Sequence, residues 1–393
     1  MTESWAQVIE KIVASGDLSE EWRHAFLAVE REEFIPATIW RYDPGSRGFV
    51  PLRRSEDPAG WFEAVHRNEF VITQVNDGAP LEPGRIGQGV TSSSSMPGVM
   101  AAMLKALDVR QGMRVLEIGT GTGYNTALLA YRLGDQSVVS VEIDTAVAEQ
   151  ARFALQRAGY LPTLVIGDGA EGYPQGAPYD RVLATVAVTE VPYAWVAQTA
   201  PGGLIVTPRG TRYLNSALLR LTVADDGTAS GGFVDHAVFM RLRAQRIGDY
   251  WPDTDERSGV RESVTELHPY EPCGDYDGGA FAVSVLMPDC ERSIAYGNEE
   301  RTEYDVLIFH EESESWATVE VTGETVETGR YPVRQSGPRR LWDEVERAHT
   351  WWESHGRPAY TRFGLTVAPD EQWVWLDEPG HRAGPVRPSI RPR

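Results

Sequence analysis

The chain has 393 residues, and at roughly 150 residues per domain that length predicts two or three domains. Its 41% hydrophobic and 24% charged content is ordinary for a globular protein and excludes collagen-like, coiled-coil and mostly disordered classes. A formal charge of −20 argues against broad binding of nucleic-acid phosphates, which needs a basic surface.

The first residues, MTESWAQVIEKIVASG, carry Glu3 and Glu10 and lack the basic start and apolar core of a secretory signal. No apolar run approaches the ~18 residues of a membrane span. The expected location is therefore cytoplasmic. Trp5, Val8, Ile9, Ile12 and Val13 recur at helical spacing. Ser19 is a candidate N-cap for a second helix with Trp22, Ala25, Phe26 and Val29 on one side, closed by Pro36. Residues 41–60 are rich in Pro, Gly and Arg and read as a long loop, and 76–98 as another irregular stretch.

From about residue 98 the rhythm changes. A helix (Val99 to Leu107) leads to a buried-type strand (Met113 to Ile118), a glycine loop and a helix (Tyr124 to Leu133). A strand (Val138 to Val141), a helix (Thr145 to Ala158) and a strand (Thr163 to Ile166) follow. Then come a strand (Arg181 to Ala184), a helix (Glu190 to Gln198) and a strand (Leu204 to Thr207). This alternation predicts crossover units and a mostly parallel sheet with helices on both faces. Leu214 to Val223 and Phe233 to Arg241 read as closing antiparallel strands. Beyond about 245, acidic alternating runs, an amphipathic helix through Leu341, Val345, Ala348 and Trp352, and a hairpin of Thr361–Val367 with Gln372–Leu376 predict a separate α+β domain. The expected division is an N-terminal helical cap with an inserted loop over 1–90, a ligand-binding domain over 91–245 and an α+β extension over 246–393. The only cysteines, Cys273 and Cys290, form no CxxC, and the eight His are scattered, so no metal site is expected.

The strongest chemical signal is VLEIGTGTGY, residues 115–124. Gly119, Gly121 and Gly123 between a strand and a helix let the backbone turn sharply and approach a ligand beside a helix N-terminus. The spacing is G-x-G-x-G, not the G-x-G-x-x-G of a dinucleotide fingerprint. Glu117 ahead of it would oppose a pyrophosphate but favour a sulfonium or ammonium, which tilts the choice towards S-adenosylmethionine (SAM). Glu142 closes the second strand, where a carboxylate can accept both ribose hydroxyls. Asp168 follows the third and can accept from an adenine amino group. Three acids after three successive strands lie at the carboxyl edge, where open α/β sheets bind ligands. The candidate cofactor contacts are Glu117, Gly119, Thr120, Gly121, Gly123, Tyr124, Asn125, Glu142, Ile143, Asp168, Gly169 and Thr185.

Over about 88–208 the chain resembles the protein-L-isoaspartate O-methyltransferases. The matching pieces are GVTSSSSMPGVMAAML, VLEIGTGTGYNTALLA, VVSVEID, VIGDGAEG, YDRVLATVAVTEVP and PGGLIVTP, and AFLAVEREEFIP is similar to that family's N-terminal helix. The resemblance implies a class I SAM methyltransferase fold, a Rossmann-like doubly wound sheet with an N-terminal helical cap and, here, a C-terminal α+β domain. It also implies methyl transfer to the carboxylate of isoaspartate, with collapse of the ester to a succinimide. The family's acceptor motif resembles T-I-S-x-P; aligned on Pro97, it points to Ser93 and Ser95 as catalytic candidates contacting the acceptor, with Ser92 and Ser94 ranked below. Thr185 and Glu190 match the loop after the fourth strand. Thr189 stands where the family commonly has Pro, which leaves that loop's shape open.

The inserted loop and the long C-terminal extension look like the variants of ribosomal peptide pathways (graspetide, lanthipeptide and lasso-peptide systems), and RFGLTVAPDEQWVWLDEP like the ending of the graspetide group. That resemblance implies esterification of an aspartate in a modified, usually macrocyclic precursor peptide, leading to an aspartimide or isoaspartate. The alternatives are a general isoaspartyl repair enzyme and a non-catalytic SAM-binding peptide scaffold.

Overall fold

The computed structural model describes residues 4–81, 85–248, 250–254, 259–274 and 279–389. Two helices, α1 (Trp5–Ala14) and α2 (Glu20–Ala28), open the chain. Ser4 and Gln7 cap α1 reciprocally, and Val8, Ile9 and Ile12 are its buried face. Ser19 sits at the start of α2 but makes no side-chain cap. The stretch expected as a long loop is instead a hairpin, β1 (Thr38–Asp43) with β2 (Gly48–Arg53), followed by α3 (Pro58–Val65). It is ordered because Ile39, Leu52, Trp61 and Val65 bury together with Ile35 and Val71. β3 (Val71–Val75) and β4 (Val90–Ser94) complete a four-stranded sheet of order β2-β1-β3-β4, so part of the second irregular stretch is also a strand.

Next comes the alternating region. Its elements are α4 (Pro97–Leu107), β5 (Val115–Ile118), α5 (Tyr124–Leu133), β6 (Val138–Glu142), α6 (Thr145–Arg157) and β7 (Thr163–Ile166). β8 (Tyr179–Ala184), α7 (Tyr193–Ala197), β9 (Thr199–Gly210), β10 (Asn215–Val223) and β11 (Ala229–His236) follow. The extension holds β12 (Arg261–Thr265), α8 (Tyr270–Cys273), α9 (Gly279–Leu286), β13 (Glu291–Tyr296), β14 (Tyr304–His310), β15 (Ser315–Val321), α10 (Gly323–Thr328), β16 (Tyr331–Ser336) and α11 (Leu341–Ser354). Last are β17 (Phe363–Val367), β18 (Glu371–Leu376) and β19 (Arg387–Pro388).

The central sheet has ten strands in the order β19-β18-β17-β11-β10-β9-β8-β5-β6-β7. β7, β6, β5, β8 and β9 run parallel, and every pairing from β9 to β19 is antiparallel. The α/β class stands, but the sheet is mixed rather than mostly parallel. β5 pairs with β6 on one side and β8 on the other, so the strand order reverses there and leaves a crevice at the carboxyl ends.

Within the extension, β12–β16 form their own five-stranded antiparallel sheet. The closing hairpin does not join it. β17 pairs with β11, and β17 and β18 continue the central sheet. Phe363, Leu365 and Val374 bury in the same apolar cluster as Leu219 and Phe233 of β10 and β11 and Val306 of β14. Pairing with β11 thus makes this hairpin part of the central sheet. Among the described residues no helix is long and apolar enough to cross a membrane.

Candidate functional site

A cleft of ≈ 590 Å3 opens at the carboxyl ends of β5, β6 and β8, and the strand β4 and residues 239–247 form its other walls. That volume is within the ~300–1,000 Å3 typical of small-molecule sites. β11 ends at His236, earlier than expected. The chain leaves the sheet there and runs beside Ala187, whose N–H donates to Met240 O (2.8 Å) while Leu242 N–H donates to Ala187 O (2.8 Å). That departure is what brings residues 239–247 to the rim.

The glycine loop needs its glycines for two reasons. Gly119, Gly121 and Gly123 hold φ of 91°, 54° and 86°, a region side chains disfavour. A Cβ on Gly119 would also sit 2.8 Å from Thr185 Oγ1, too close to fit, whereas one on Gly121 would be in ordinary contact with Ser93 O at 3.6 Å. The Thr185 hydroxyl donates to the Gly119 (2.6 Å) and Ile118 (3.1 Å) carbonyls, clamping the end of β8 onto the loop.

Glu117 is not where the sequence pattern suggested. Its carboxylate is fully buried and does not line the cleft. It accepts from Asn125 Nδ2 (2.6 Å), Thr126 Oγ1 (2.5 Å) and Ser140 Oγ (2.6 Å). Burial raises its pKa, against those three hydrogen bonds. Thr120 hydrogen-bonds Ser140 (2.6 Å), so its hydroxyl belongs to the same buried network. Glu117 braces the loop from beneath because residues in a short buried strand alternate between two packed faces and the ligand sits beyond the strand's end.

Glu142 and Asp168 do reach the cleft. Glu142 accepts from Gly121 N (3.0 Å) and Asp144 N (3.1 Å), placing its carboxylate beside the loop. Asp168 accepts from Ala170 N (2.9 Å). Gly169 is packed so closely that a Cβ would meet Ile118 Cγ2 at 2.5 Å. Ile143 is 38% exposed and lines the cleft. Tyr124 and Asn125 line the cleft where α5 begins, and the Tyr124 hydroxyl and Asn125 Oδ1 are buried without partners.

β4 supplies the opposite wall. Its period of two divides the serines: Ser92 and Ser94 are buried, Ser93 and Ser95 less so. The Thr73 hydroxyl donates to Ser92 Oγ (3.2 Å). The strand is anchored by Arg31, which the sequence pattern did not single out. Its buried guanidinium donates to the carbonyls of Val65, Arg67, Glu69, Ser94 and Ser95 at 2.9–3.3 Å. Burial pulls its pKa down to about 10, so it stays charged at neutral pH. The only surface sign of this role is an Arg within an otherwise apolar and acidic segment.

Asp144 was also missed. It caps α6 through Ala146 and Val147, and accepts from Gln74 Nε2 (3.2 Å) and Arg243 (3.4 Å). Burial acts to raise its pKa, but Val147 N–H, Gln74 and Arg243 outweigh it and hold the carboxyl below its ordinary value. Arg243 and Arg246 pair with Asp77, closing ion pairs across the cleft mouth. Glu190, expected near the site, lines a neighbouring cavity instead. Thr189 explains itself here: its N–H (2.7 Å) and hydroxyl (2.9 Å) both donate to Gln245 Oε1, and Pro has neither donor. The same loop is held from the extension, where Gln372 Oε1 accepts from Val191 N (3.0 Å).

The sequence is similar to known proteins over this same region. A family model described as protein-L-isoaspartate(D-aspartate) O-methyltransferase matches residues 52–246. The protein-L-isoaspartate O-methyltransferase of Methanopyrus kandleri is 40% identical over 178 residues, 44% of this chain and 76% of that protein. The chain belongs to the protein-L-isoaspartate O-methyltransferase family. The member from Hyperthermus butylicus is 36% identical over 259 residues, 63% of this chain and 90% of that protein. A solved protein-L-isoaspartate O-methyltransferase covers 95% of this chain and 100% of its own, with a TM-score of 0.53 at 22% identity, and shows the fold. The enzyme is thus a SAM-dependent carboxyl O-methyltransferase, with SAM as its cofactor. The cleft fits that cofactor: a glycine cradle, acids beside it and at the next strand end, and buried polar atoms without partners.

Proposed function

We propose that the enzyme methylates the free carboxylate of isoaspartyl residues in proteins and peptides. The observation that carries this is the juxtaposition of β4 with the glycine loop, Ser93 O standing 3.6 Å from the position of a Gly121 Cβ. Donor and acceptor walls then face each other across one cleft. Bound SAM supplies a methyl group already activated on a sulfonium.

Glu142 would accept from the ribose hydroxyls and Asp168 from the adenine amino group, with Ile143 offering the adenine an apolar contact. Ser93 and Ser95 donate to the acceptor carboxylate and orient one oxygen towards the methyl carbon. Arg31 holds the backbone of that serine strand, and Thr185 holds the loop facing it. The acceptor is already ionised at neutral pH, so no general base is needed, and a site of alignment groups suffices. Such alignment supplies up to ~7–11 kcal/mol. With SAM bound, transfer to the acceptor oxygen held by Ser93 and Ser95 would give a methyl ester and leave the donor as a neutral thioether. Attack by the following backbone amide on that ester expels methanol and closes a succinimide.

The names of the matching relatives support the isoaspartyl acceptor over a macrocyclic precursor peptide, whose motivation is the inserted loop and the C-terminal extension with its closing motif. The expected cytoplasmic location suits either acceptor. Intact-mass analysis with SAM tests the reading on a linear isoaspartyl peptide, its aspartyl twin and a cyclised precursor peptide. Methyl gain, or the net loss of one water on closure to the succinimide, is expected on the isoaspartyl peptide. Modification of the cyclised peptide alone would replace this reading with peptide tailoring.

A further inference from the structure

A second cavity, of ≈ 360 Å3, lies beside the catalytic cleft where the loop after β8 meets the extension. Arg246 and Ile247 line both, so the two are neighbours. Most cations here are matched. Arg212 pairs with Glu291 and Glu311, Arg246 with Asp77, and Arg387 of β19 with Asp289.

Arg209, near the end of β9, is different. It is 7% exposed, and its Nε has no partner. Among the described residues no ion pair or side-chain hydrogen bond reaches its guanidinium. Burial lowers its pKa to about 10, which leaves it charged at neutral pH. The Glu190 charge acts on it, but burial raises that carboxyl's pKa, and Arg387 and Arg209 only partly offset this. A buried cation with idle donors is costly unless an anion meets it. Guanidinium forks match carboxylates in particular.

We propose that this cavity is a second subsite, in which Arg209, with Arg387 at the rim, binds a further carboxylate of the acceptor peptide. The proposal rests on the isoaspartyl reading above. The carboxylate comes from a Glu or Asp side chain near the isoaspartyl residue or from the peptide's C-terminus. The subsite would make the enzyme prefer damaged sites in acidic surroundings, and it uses the extension to do so, since Asp289 and Arg387 both come from it.

The test uses end-capped isoaspartyl peptides without other acids, with one Glu moved through successive positions on either side, and a version with a free C-terminus. Steady-state kinetics are measured alongside binding of the same peptides by fluorescence anisotropy with S-adenosylhomocysteine present. At one register the added carboxylate is expected to lower both Kd and KM about tenfold, with kcat unchanged. In Arg209→Met that gain falls to about twofold or less, while the acid-free peptide keeps wild-type kinetics. Arg387→Gln loses part of the gain, and it decides the matter with the wild-type comparison if Arg209→Met does not fold. No gain at any register, or a gain that survives in Arg209→Met, overturns the subsite. A wild-type enzyme that methylates none of the peptides refutes the isoaspartyl reading instead, and anisotropy still decides the subsite.

Discussion

Glu117 offers the sharpest test of where this site ends and its support begins. Its carboxylate accepts three buried hydrogen bonds and lies outside the cleft. Replacing it by Gln keeps the shape. If the amide oxygen takes the place now facing Thr126 and Ser140, the new NH2 faces Asn125. Asn125 can turn its amide and accept that NH2 with Oδ1, which now has no partner. Glu117→Gln is therefore expected to stay within about 1 kcal/mol of wild-type stability. Glu117→Ala strands three buried donors at about 1 kcal/mol each, so about 3 kcal/mol is lost before any cavity cost.

Titration adds a second signature. The folded pKa of Glu117 is raised, so folding takes up a proton between the unfolded and folded values. Stability falls as pH rises from about 4.3 through the folded pKa, and Glu117→Gln removes that slope. Urea unfolding between acid and neutral pH measures both effects, and calorimetric titration of SAM measures binding. SAM affinity within about twofold of wild type is expected for Glu117→Gln. A tenfold loss of SAM affinity with unchanged unfolding would refute the reasoning and return Glu117 to the ligand.

Glu142→Gln removes the acceptor charge beside Gly121 and is expected to weaken SAM about tenfold in the same titration, with little change in unfolding. Ser93→Ala and Ser95→Ala are expected to raise the peptide KM several-fold while SAM affinity holds; an unchanged KM in both would remove β4 from the acceptor site. Arg31→Met leaves five backbone carbonyls without their donor and is expected to cost about 3–5 kcal/mol in urea unfolding, with a raised peptide KM in whatever enzyme remains folded. Gln372→Ala, far along the chain, is expected to cost about 1–2 kcal/mol and to raise the peptide KM, because it releases Val191 in the loop after β8. Wild-type behaviour on both counts would sever the extension from the site.

What the sequence carried on its own was local. The α/β alternation, the glycine loop and the acids Glu142 and Asp168 were legible because each depends on periodicity or on a strand end a few residues away. The serines were singled out by likeness to a family motif; all four of Ser92–Ser95 line the cleft, with Ser92 and Ser94 the more buried. The hairpin at 38–53 was not legible, because its Pro and Gly content signals loops while its stability comes from Ile35, Trp61 and Val71 outside it. Thr189 was read as a departure, and only its partner Gln245, distant in sequence, showed how the loop keeps its shape.

Burial and pairing were decided by the tertiary structure alone. No local pattern distinguishes a carboxylate facing a ligand from one turned into a core, and Glu117 turned inwards because Asn125, Thr126 and Ser140 converge on it from two elements. Nor does a pattern tell a matched arginine from an idle one: Arg31 donates to carbonyls up to 64 residues away, whereas the buried Nε of Arg209 has no hydrogen-bond partner among the described residues. The joining of β17 to β11 is of the same kind, since β17 can find its edge only once the central sheet exists. Composition and spacing determined which chemistry this protein could hold; long-range packing determined which of its charges face that chemistry.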